Sequence, residues 1–258
     1  MWYNQEGDSM NNKSRKIYNK KKKRLIILRL LTLIFIIGIV YNSTKLLSWE
    51  LDVKENTKIQ NKLNKLIDDD KVEFDKLKKQ NKDSVAFIKV NNTNIHYIVV
   101  KSTDNEYYLN HNFNKEKNIA GWIFADFRNN VDESDKNLII YGHNMKDGSM
   151  FDSLIKTIDK EWYTNKDNHI VKLITEKGSY KYQVFSTYSV HAEDYYINTN
   201  FNNDKEFNKF VNTLKNRSIY NYGVEVTESD KILTLSSCIG DGRKRVVLHA
   251  KLIKKEGN

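Results

Sequence analysis

The chain has 258 residues, of which 39% are hydrophobic and 12% aromatic, enough for a packed core in one large domain or two small ones. Its net charge of +10 is uneven, because residues 1–44 hold nine Lys or Arg against two acids and so carry +7. The remaining residues carry only +3, which argues against a nucleic-acid-binding domain with a basic face.

The N-terminus has the layout of a membrane anchor. Basic residues, ending in the cluster Lys20–Arg24, precede an apolar run from Leu25 to Tyr41 that only Arg29 and Thr32 interrupt. This length is near the lower limit for a membrane span, and basic residues before a span place the N-terminus in the cytoplasm. No small-residue cleavage site follows. We therefore expect a cytoplasmic tail (1–24), a retained single-pass signal-anchor (25–44) and an extracellular remainder; a buried helix is the alternative.

After the anchor, apolar residues recur every three to four positions from Lys45 to about Lys82. We expect residues 45–71 to be helical, either as a stalk or packed on the domain, and residues 72–258 to form the main domain. Strand patterns dominate that domain. The eight predicted strands are Val85–Val90, Ile95–Val100, Ile119–Phe124, Asn137–Tyr141, His169–Thr175, Ser179–Val190, Lys231–Ser237 and Lys244–Ile253. The fold class is therefore mainly β, a closed or nearly closed eight-stranded barrel.

One clear helix interrupts the strands, between the sixth and the seventh. Asn203 is the predicted N-cap, Glu206 lies three residues later, and Phe207, Phe210, Val211 and Leu214 form the apolar stripe. A helix in this connection could wall one side of a groove that ends at the seventh strand.

Cys238 is the only cysteine, and it follows that seventh strand directly. By itself a lone cysteine is usually a small buried hydrophobe. Outside the cell, however, a thiol without a disulfide partner is a liability unless it is used, which favours a functional interpretation. A turn at Gly240–Gly242 leads into the eighth strand, where Arg245 is a fixed positive charge suited to holding an oxyanion.

A cysteine nucleophile also needs an imidazole or another cationic partner, because a free thiol is mostly protonated near neutrality. Of the six histidines, His143 stands out, since Tyr141–Met145 opens a glycine-containing turn directly after an apolar strand. His249 is the rival and shares a strand face with Arg245. It lies four residues farther along, roughly 13 Å, which is too far to serve the same atom.

Several separated segments resemble a known family, the sortases, and specifically class B. They are NLIIYGHNMKDGSMFDSL (137–154), LTLSSC (233–238), the arginine that opens RVVLHAKL, DNEYYLNHNF (104–113) and AGWIFADFRN (120–129). The similarity covers about residues 72–253. It includes the helix before the seventh strand, which distinguishes class B from class A.

The resemblance implies a sortase-type barrel and a membrane-anchored cysteine transpeptidase of Gram-positive bacteria. Such an enzyme cleaves a C-terminal sorting motif of secreted proteins and joins the new carboxyl end to an amine of the peptidoglycan precursor. By similarity, Cys238 is the nucleophile that forms the thioacyl intermediate, His143 the general acid and base, and Arg245 the carbonyl or oxyanion ligand. The candidate peptide contacts are Asn105, Leu109, Tyr141, Tyr196, Ile197 and Ser236.

The sequence also departs from the family pattern. Ser237 stands where threonine usually precedes the cysteine, and Lys82 and Ile98 replace prolines of relatives. No cofactor, metal or nucleic-acid partner is expected. Two other functions remain open: a cell-surface cysteine protease that uses water as acceptor, and a wall-binding module whose cysteine is inert.

Overall fold

The structure is a computed structural model that describes residues 12–68, 71–131, 135–239 and 243–256, with the backbone alone at Lys13, Cys238 and Ile239. The predicted turn Gly240–Gly242 lies outside these residues. Two compact units are present, residues 1–51 and residues 52–258.

Helix α1 (Asn12–Asn64) contributes to both units. In the first unit it contains an apolar stretch long enough to cross a membrane, with a mean hydropathy of 2.4 over its best window and none of that window buried. The side chains from Leu25 to Tyr41 are exposed almost throughout, which does not fit the buried-helix alternative. In the second unit, Ile59 and Leu63 are buried, and Asn56 donates a hydrogen bond to the Gly121 carbonyl.

The helical pattern predicted up to Lys82 is interrupted, which corrects the sequence-based expectation. After α1 come two short antiparallel strands, β1 (Ile67–Asp68) and β2 (Lys71–Val72), and only then helix α2 (Phe74–Gln80). Three consecutive aspartates, residues 68–70, follow the end of α1. Negative charge at a helix C-terminus opposes the helix dipole, which gives a physical reason for the break.

The eight remaining strands close a barrel in the order β10-β8-β7-β3-β4-β5-β6-β9, which confirms the predicted fold class. Neighbouring strands are antiparallel except for the parallel pairs β4–β5 and β6–β9. Their bounds are β3 (Ser84–Val90), β4 (His96–Val100), β5 (Phe124–Ala125), β6 (Asn137–Gly142), β7 (Ile170–Thr175), β8 (Gly178–His191), β9 (Ile232–Ile239) and β10 (Lys244–Glu256).

The third predicted strand was placed too early. Only Phe124 and Ala125 pair with neighbouring strands, and Ile119 is exposed. Gly121 explains the shift, because it adopts φ +57° and an added Cβ would lie 2.3 Å from the Tyr108 carbonyl oxygen. The segment before β5 is therefore a tight loop that needs a glycine, and the alternation of apolar residues within it imitated a strand.

Helix α3 (Lys160–Thr164) precedes β7, and helix α4 (Asp204–Arg217) lies between β8 and β9 as predicted. Asn203 is its N-cap, and its side chain accepts a hydrogen bond from the Glu206 amide. The helix buries Phe207, Val211 and Leu214 in a cluster with residues of β8, β9 and β10. Helix α4 thus covers the outer face of these three strands.

Candidate active site

Three neighbouring strands end at the same place, and each presents one predicted catalytic residue. In the antiparallel pair β9–β10, Cys238 is the register partner of Arg245. In the parallel pair β6–β9, the last residue of β6, Gly142, is level with Ser237, so that His143 and Cys238 come next on adjacent chains. Adjacent strands are about 4.8 Å apart. His143 and Arg245 therefore flank the backbone of Cys238 on its two sides.

A cavity of about 780 Å³ opens beside these strand ends. Eight of the nine sequence-predicted site residues line it, and the ninth is Cys238, whose side chain is not described. The lining residues are Asn105, Leu109, Phe124, Tyr141, Gly142, His143, Ala192, Glu193, Asp194, Tyr195, Tyr196, Ile197, Ser236 and Arg245. Residues far apart in the chain thus meet at one groove, and the strand register determines where they meet.

His143 has a defined tautomer. Its Nε2 lies 2.8 Å from the carbonyl oxygen of Leu109. A carbonyl only accepts hydrogen bonds, so Nε2 carries a proton and Nδ1 is the nitrogen that can exchange one. The same turn that supplies Asn105 and Leu109 to the cavity therefore also orients the imidazole.

The predicted peptide contacts differ in how far a ligand could reach them. Leu109 is 39% exposed, whereas Tyr196 is 3% exposed and packs within the cluster under α4. The Tyr196 hydroxyl lies 3.0 Å from Oγ of Ser236, so these two side chains support each other. Ser237, in the position of the usual threonine, is 1% exposed, and its hydroxyl has no hydrogen-bond partner among the described residues.

Asp126 organises one side of the cavity, a role that the sequence did not reveal. Its carboxylate is fully buried and accepts hydrogen bonds from Asn105, Arg128 and Tyr141. Burial opposes the charged form, but hydrogen bonds from Arg128 and Tyr141 outweigh it and hold the pKa of Asp126 below its usual value. Burial, followed by the charge of Asp126, raises the pKa of Tyr141. The carboxylate therefore stays ionised and the phenol stays neutral.

His249, the rival histidine, is fully buried and does not line the cavity. Thr234 donates to Oδ1 of Asn137 at 2.7 Å, so its hydroxyl oxygen accepts from Nδ1 of His249 at 2.9 Å. Nε2 of His249 then accepts from the Tyr188 hydroxyl at 3.1 Å. Burial lowers the pKa of His249 to about 3, so this imidazole is a neutral structural link.

The groove wall beyond β8 differs from the sequence-based expectation. A 3-10 turn, Tyr195–Ile197, lines the cavity, and α4 packs behind it. The Tyr195 hydroxyl donates to the Tyr188 hydroxyl at 2.7 Å, and the guanidinium of Arg217 lies 4.2 Å from the centre of the Tyr195 ring. The helix thus supports the wall without forming it.

Sequence reasoning missed Asp126, Arg128 and Tyr195. The first two lie in the segment AGWIFADFRN, which carried family resemblance but no assigned role. Their spacing of two residues, with an acid before an arginine, was the only local signal. Within the described ranges, no group of three or more His, Cys, Asp or Glu side chains could hold a metal ion.

Comparison with known proteins identifies the family. The Sortase domain family matches residues 88–253, more than half of the chain. Sortase B of Staphylococcus aureus (strain NCTC 8325 / PS 47) is 34% identical over 243 residues, which cover 91% of this chain and 99% of that protein. Sortase B of Listeria monocytogenes serovar 1/2a (strain ATCC BAA-679 / EGD-e) is 40% identical over 184 residues, which cover 69% and 73%.

Solved structures agree with the sequence relatives. Sortase B from B. anthracis, in complex with AAEK1, superposes with a TM-score of 0.72 at 34% identity, and the match covers 79% of this chain and 99% of that one. The Staphylococcus aureus sortase B–substrate complex superposes with a TM-score of 0.67 at 34% identity, covering 83% and 98%.

The chain belongs to the sortase family. Its relatives and structural neighbours named above are sortase B proteins, so within the family it falls in class B. Family membership implies a cysteine transpeptidase, and the apolar part of α1 is a candidate membrane anchor.

Proposed function

We propose that this protein cleaves a C-terminal sorting motif of secreted proteins through a thioacyl intermediate on Cys238, and transfers them to an amine of the peptidoglycan precursor. One observation carries the proposal. The registers of β6, β9 and β10 bring an imidazole, the only cysteine and a guanidinium side by side at the rim of a cavity large enough for a peptide. A protein that only bound the cell wall would have no need of this combination.

In the first half-reaction, the Cys238 thiolate attacks the carbonyl carbon of the scissile peptide bond. Arg245 lines the same cavity and holds the carbonyl oxygen as negative charge develops on it. The carbon–nitrogen bond then breaks, and the leaving amine takes a proton from Nδ1 of His143. The Leu109 carbonyl accepts from Nε2–H throughout, which keeps Nδ1 in that role.

In the second half-reaction, the amine of the acceptor attacks the thioester carbon. Nδ1 of His143 takes the proton that this amine loses, the carbon–sulfur bond breaks, and the thiolate is regenerated. The balance of protons returns the site to its starting state. Water in place of the amine gives hydrolysis, which is the protease alternative.

The groove assigns separate parts to the predicted peptide contacts. Leu109 offers an exposed apolar side chain, and Asn105 a partly exposed amide, on the side that carries His143. Ile197 is half-buried on the opposite turn. Tyr196 and Ser236 are nearly buried and bonded to each other, so we assign them to the shape of the groove floor.

The test uses the full-length chain in detergent micelles with a library of quenched fluorogenic peptides. Triglycine serves as the model acceptor, since one of the solved sortase B structures is a complex with triglycine. We expect mass spectrometry to show a peptide–triglycine product and a thioacyl adduct on Cys238. Turnover should increase with triglycine. Cleavage that is indifferent to triglycine and gives no ligated product would show a hydrolase instead.

Variants separate the catalytic roles from general damage to the fold. Cys238→Ala and His143→Asn should each reduce ligation at least a hundredfold, in the range typical of lost nucleophiles and general acids. His96→Asn is the matched control. His96 lies at the start of β4, whereas the other end of that strand, Val100, pairs with the cavity-lining Phe124. Full activity of Cys238→Ala would exclude the mechanism.

We further propose that α1 anchors the protein in the cell membrane with residues 1–24 in the cytoplasm and the barrel outside. The charge distribution supports this orientation, because the basic cluster precedes the apolar stretch. Protease added to intact protoplasts should digest the barrel and leave an N-terminal fragment protected. Protection of the barrel would reverse the orientation.

A further inference from the structure

One buried carboxylate connects three separate parts of the cavity wall. Oδ2 of Asp126 accepts from Nδ2 of Asn105 at 3.0 Å and from the Tyr141 hydroxyl at 2.8 Å. Arg128 binds both carboxylate oxygens, through Nε at 2.8 Å and Nη2 at 2.7 Å. The same Nη2 donates to the Ile197 carbonyl at 3.0 Å. Asp126 and Arg128, here called the groove clamp, thereby join residues from three distant segments.

The clamp links walls that the barrel ladder does not hold to one another. Asn105 belongs to an irregular loop, and its Oδ1 also accepts from the Phe127 amide at 3.0 Å. Ile197 belongs to the 3-10 turn on the far side of the groove. Tyr141 is on β6, the strand that leads to His143. The distance between the two walls therefore depends on the Arg128 bridge.

The clamp makes no contact of its own with the strand end at Cys238, and neither Asp126 nor Arg128 lines the cavity. Its partners Asn105, Tyr141 and Ile197 all do. A group that acts only through peptide-contacting residues should affect peptide binding more than the chemical steps.

We propose that Asp126, through Arg128, is a positioning residue that sets the width of the groove and thereby its affinity for an extended sorting peptide. This inference rests on the proposed transpeptidase function. A carboxylate is required because several donors converge on it, and an amide would turn its own NH₂ group toward some of them. Lysine at position 128 would supply a point charge without the fork that reaches both Asp126 and Ile197.

The experiment compares Asp126→Asn and Arg128→Gln with the wild-type chain in micelles. The matched control is Asp230→Asn. Asp230 is partly buried, accepts hydrogen bonds from Thr227 and pairs with Lys251 at 2.9 Å, but it precedes the far end of β9. Each variant is measured for KM and kcat with the fluorogenic peptide that the wild type cleaves fastest, for iodoacetamide alkylation of Cys238, for hydrogen exchange and for thermal unfolding.

We expect both clamp variants to raise KM about tenfold while kcat and the alkylation rate stay within about twofold. Amide exchange should accelerate about tenfold in segments 104–109 and 194–199, while exchange in β10 stays unchanged. Asp230→Asn should lower the unfolding temperature without any of these changes. Arg128→Lys should recover less than half of the lost affinity.

Two results would overturn the clamp. One is wild-type exchange in both wall segments of Arg128→Gln, whose side chain is 37% exposed in the wild type and so is tolerant of replacement. The other is a loss of kcat and alkylation as large as the rise in KM. The exchange measurement needs no substrate, so it decides the clamp even if no peptide is cleaved, an outcome that would count against the transpeptidase proposal alone.

Discussion

The buried imidazole of His249 gives the sharpest stability prediction. It lies among the rings of Phe185, Tyr188 and Tyr196, and only hydroxyl groups bond to its nitrogens. Protonation would place a charge in this apolar site and give Nε2 a proton that opposes the Tyr188 hydroxyl proton. The perturbation is His249→Gln, which keeps a polar side chain and removes the titration.

The magnitude follows from the two pKa values. Burial lowers the pKa of His249 from the usual 6.5 to about 3 in the folded protein. Between pH 6.5 and pH 3 the unfolded chain therefore binds a proton that the native state does not, and stability falls as the pH falls. From pH 7 to pH 5 the loss from this one group is about 2 kcal/mol.

The assay is denaturant unfolding of the full-length protein in micelles at pH 7 and at pH 5. The buried tryptophans Trp122 and Trp162 report on the barrel. Burial also lowers the pKa of His96 and His169, which act in the same direction. Both remain in the variant, so the difference between the two proteins isolates His249.

We expect His249→Gln to be less stable than the wild type at pH 7 and to lose about 2 kcal/mol less on acidification to pH 5. The constant cost at pH 7 measures the lost contacts, and the pH-dependent part measures the proton. An equal pH response in both proteins would show that His249 accepts a proton in the folded state, and the reasoning from burial would be wrong.

Other predictions concern the loop, the helix cap and the reaction. Gly121→Ala should destabilise the barrel by about 2 kcal/mol more than Gly223→Ala by denaturant unfolding, because both have positive φ but only the first Cβ meets backbone atoms. Asn203→Ala should cost about 1 kcal/mol through loss of the N-cap, whereas Asn212→Ala, on the exposed face of the same helix, should cost nothing. Arg245→Lys should slow ligation at least about tenfold in the triglycine assay, since an ammonium cannot reproduce the planar fork. The pH dependence of ligation should be bell-shaped, and a rate that rises steadily to high pH would contradict the paired thiolate and imidazolium.

Local patterns in the chain were sufficient for most of the barrel. The strands β3, β4, β6, β7, β8, β9 and β10 and the inserted helix α4 lie within a few residues of their predicted positions. These elements have apolar spacing of period two or 3.6 and clear turn residues at their ends, and such signals are local. The loop at Gly121 failed because its glycine approaches the Tyr108 carbonyl, a contact between residues that only folding brings together.

The sequence by itself determined the anchor, the strands and the three residues with chemistry suited to acyl transfer, because residue type and spacing encode these properties directly. It could not place His143 and Arg245 on either side of Cys238, since their proximity depends on the registers of β6, β9 and β10. Nor could it distinguish Asp126, which joins the groove walls, from other acids of the chain. Hydrogen bonds between segments far apart in sequence exist only after the barrel has closed, so the tertiary structure alone decided them.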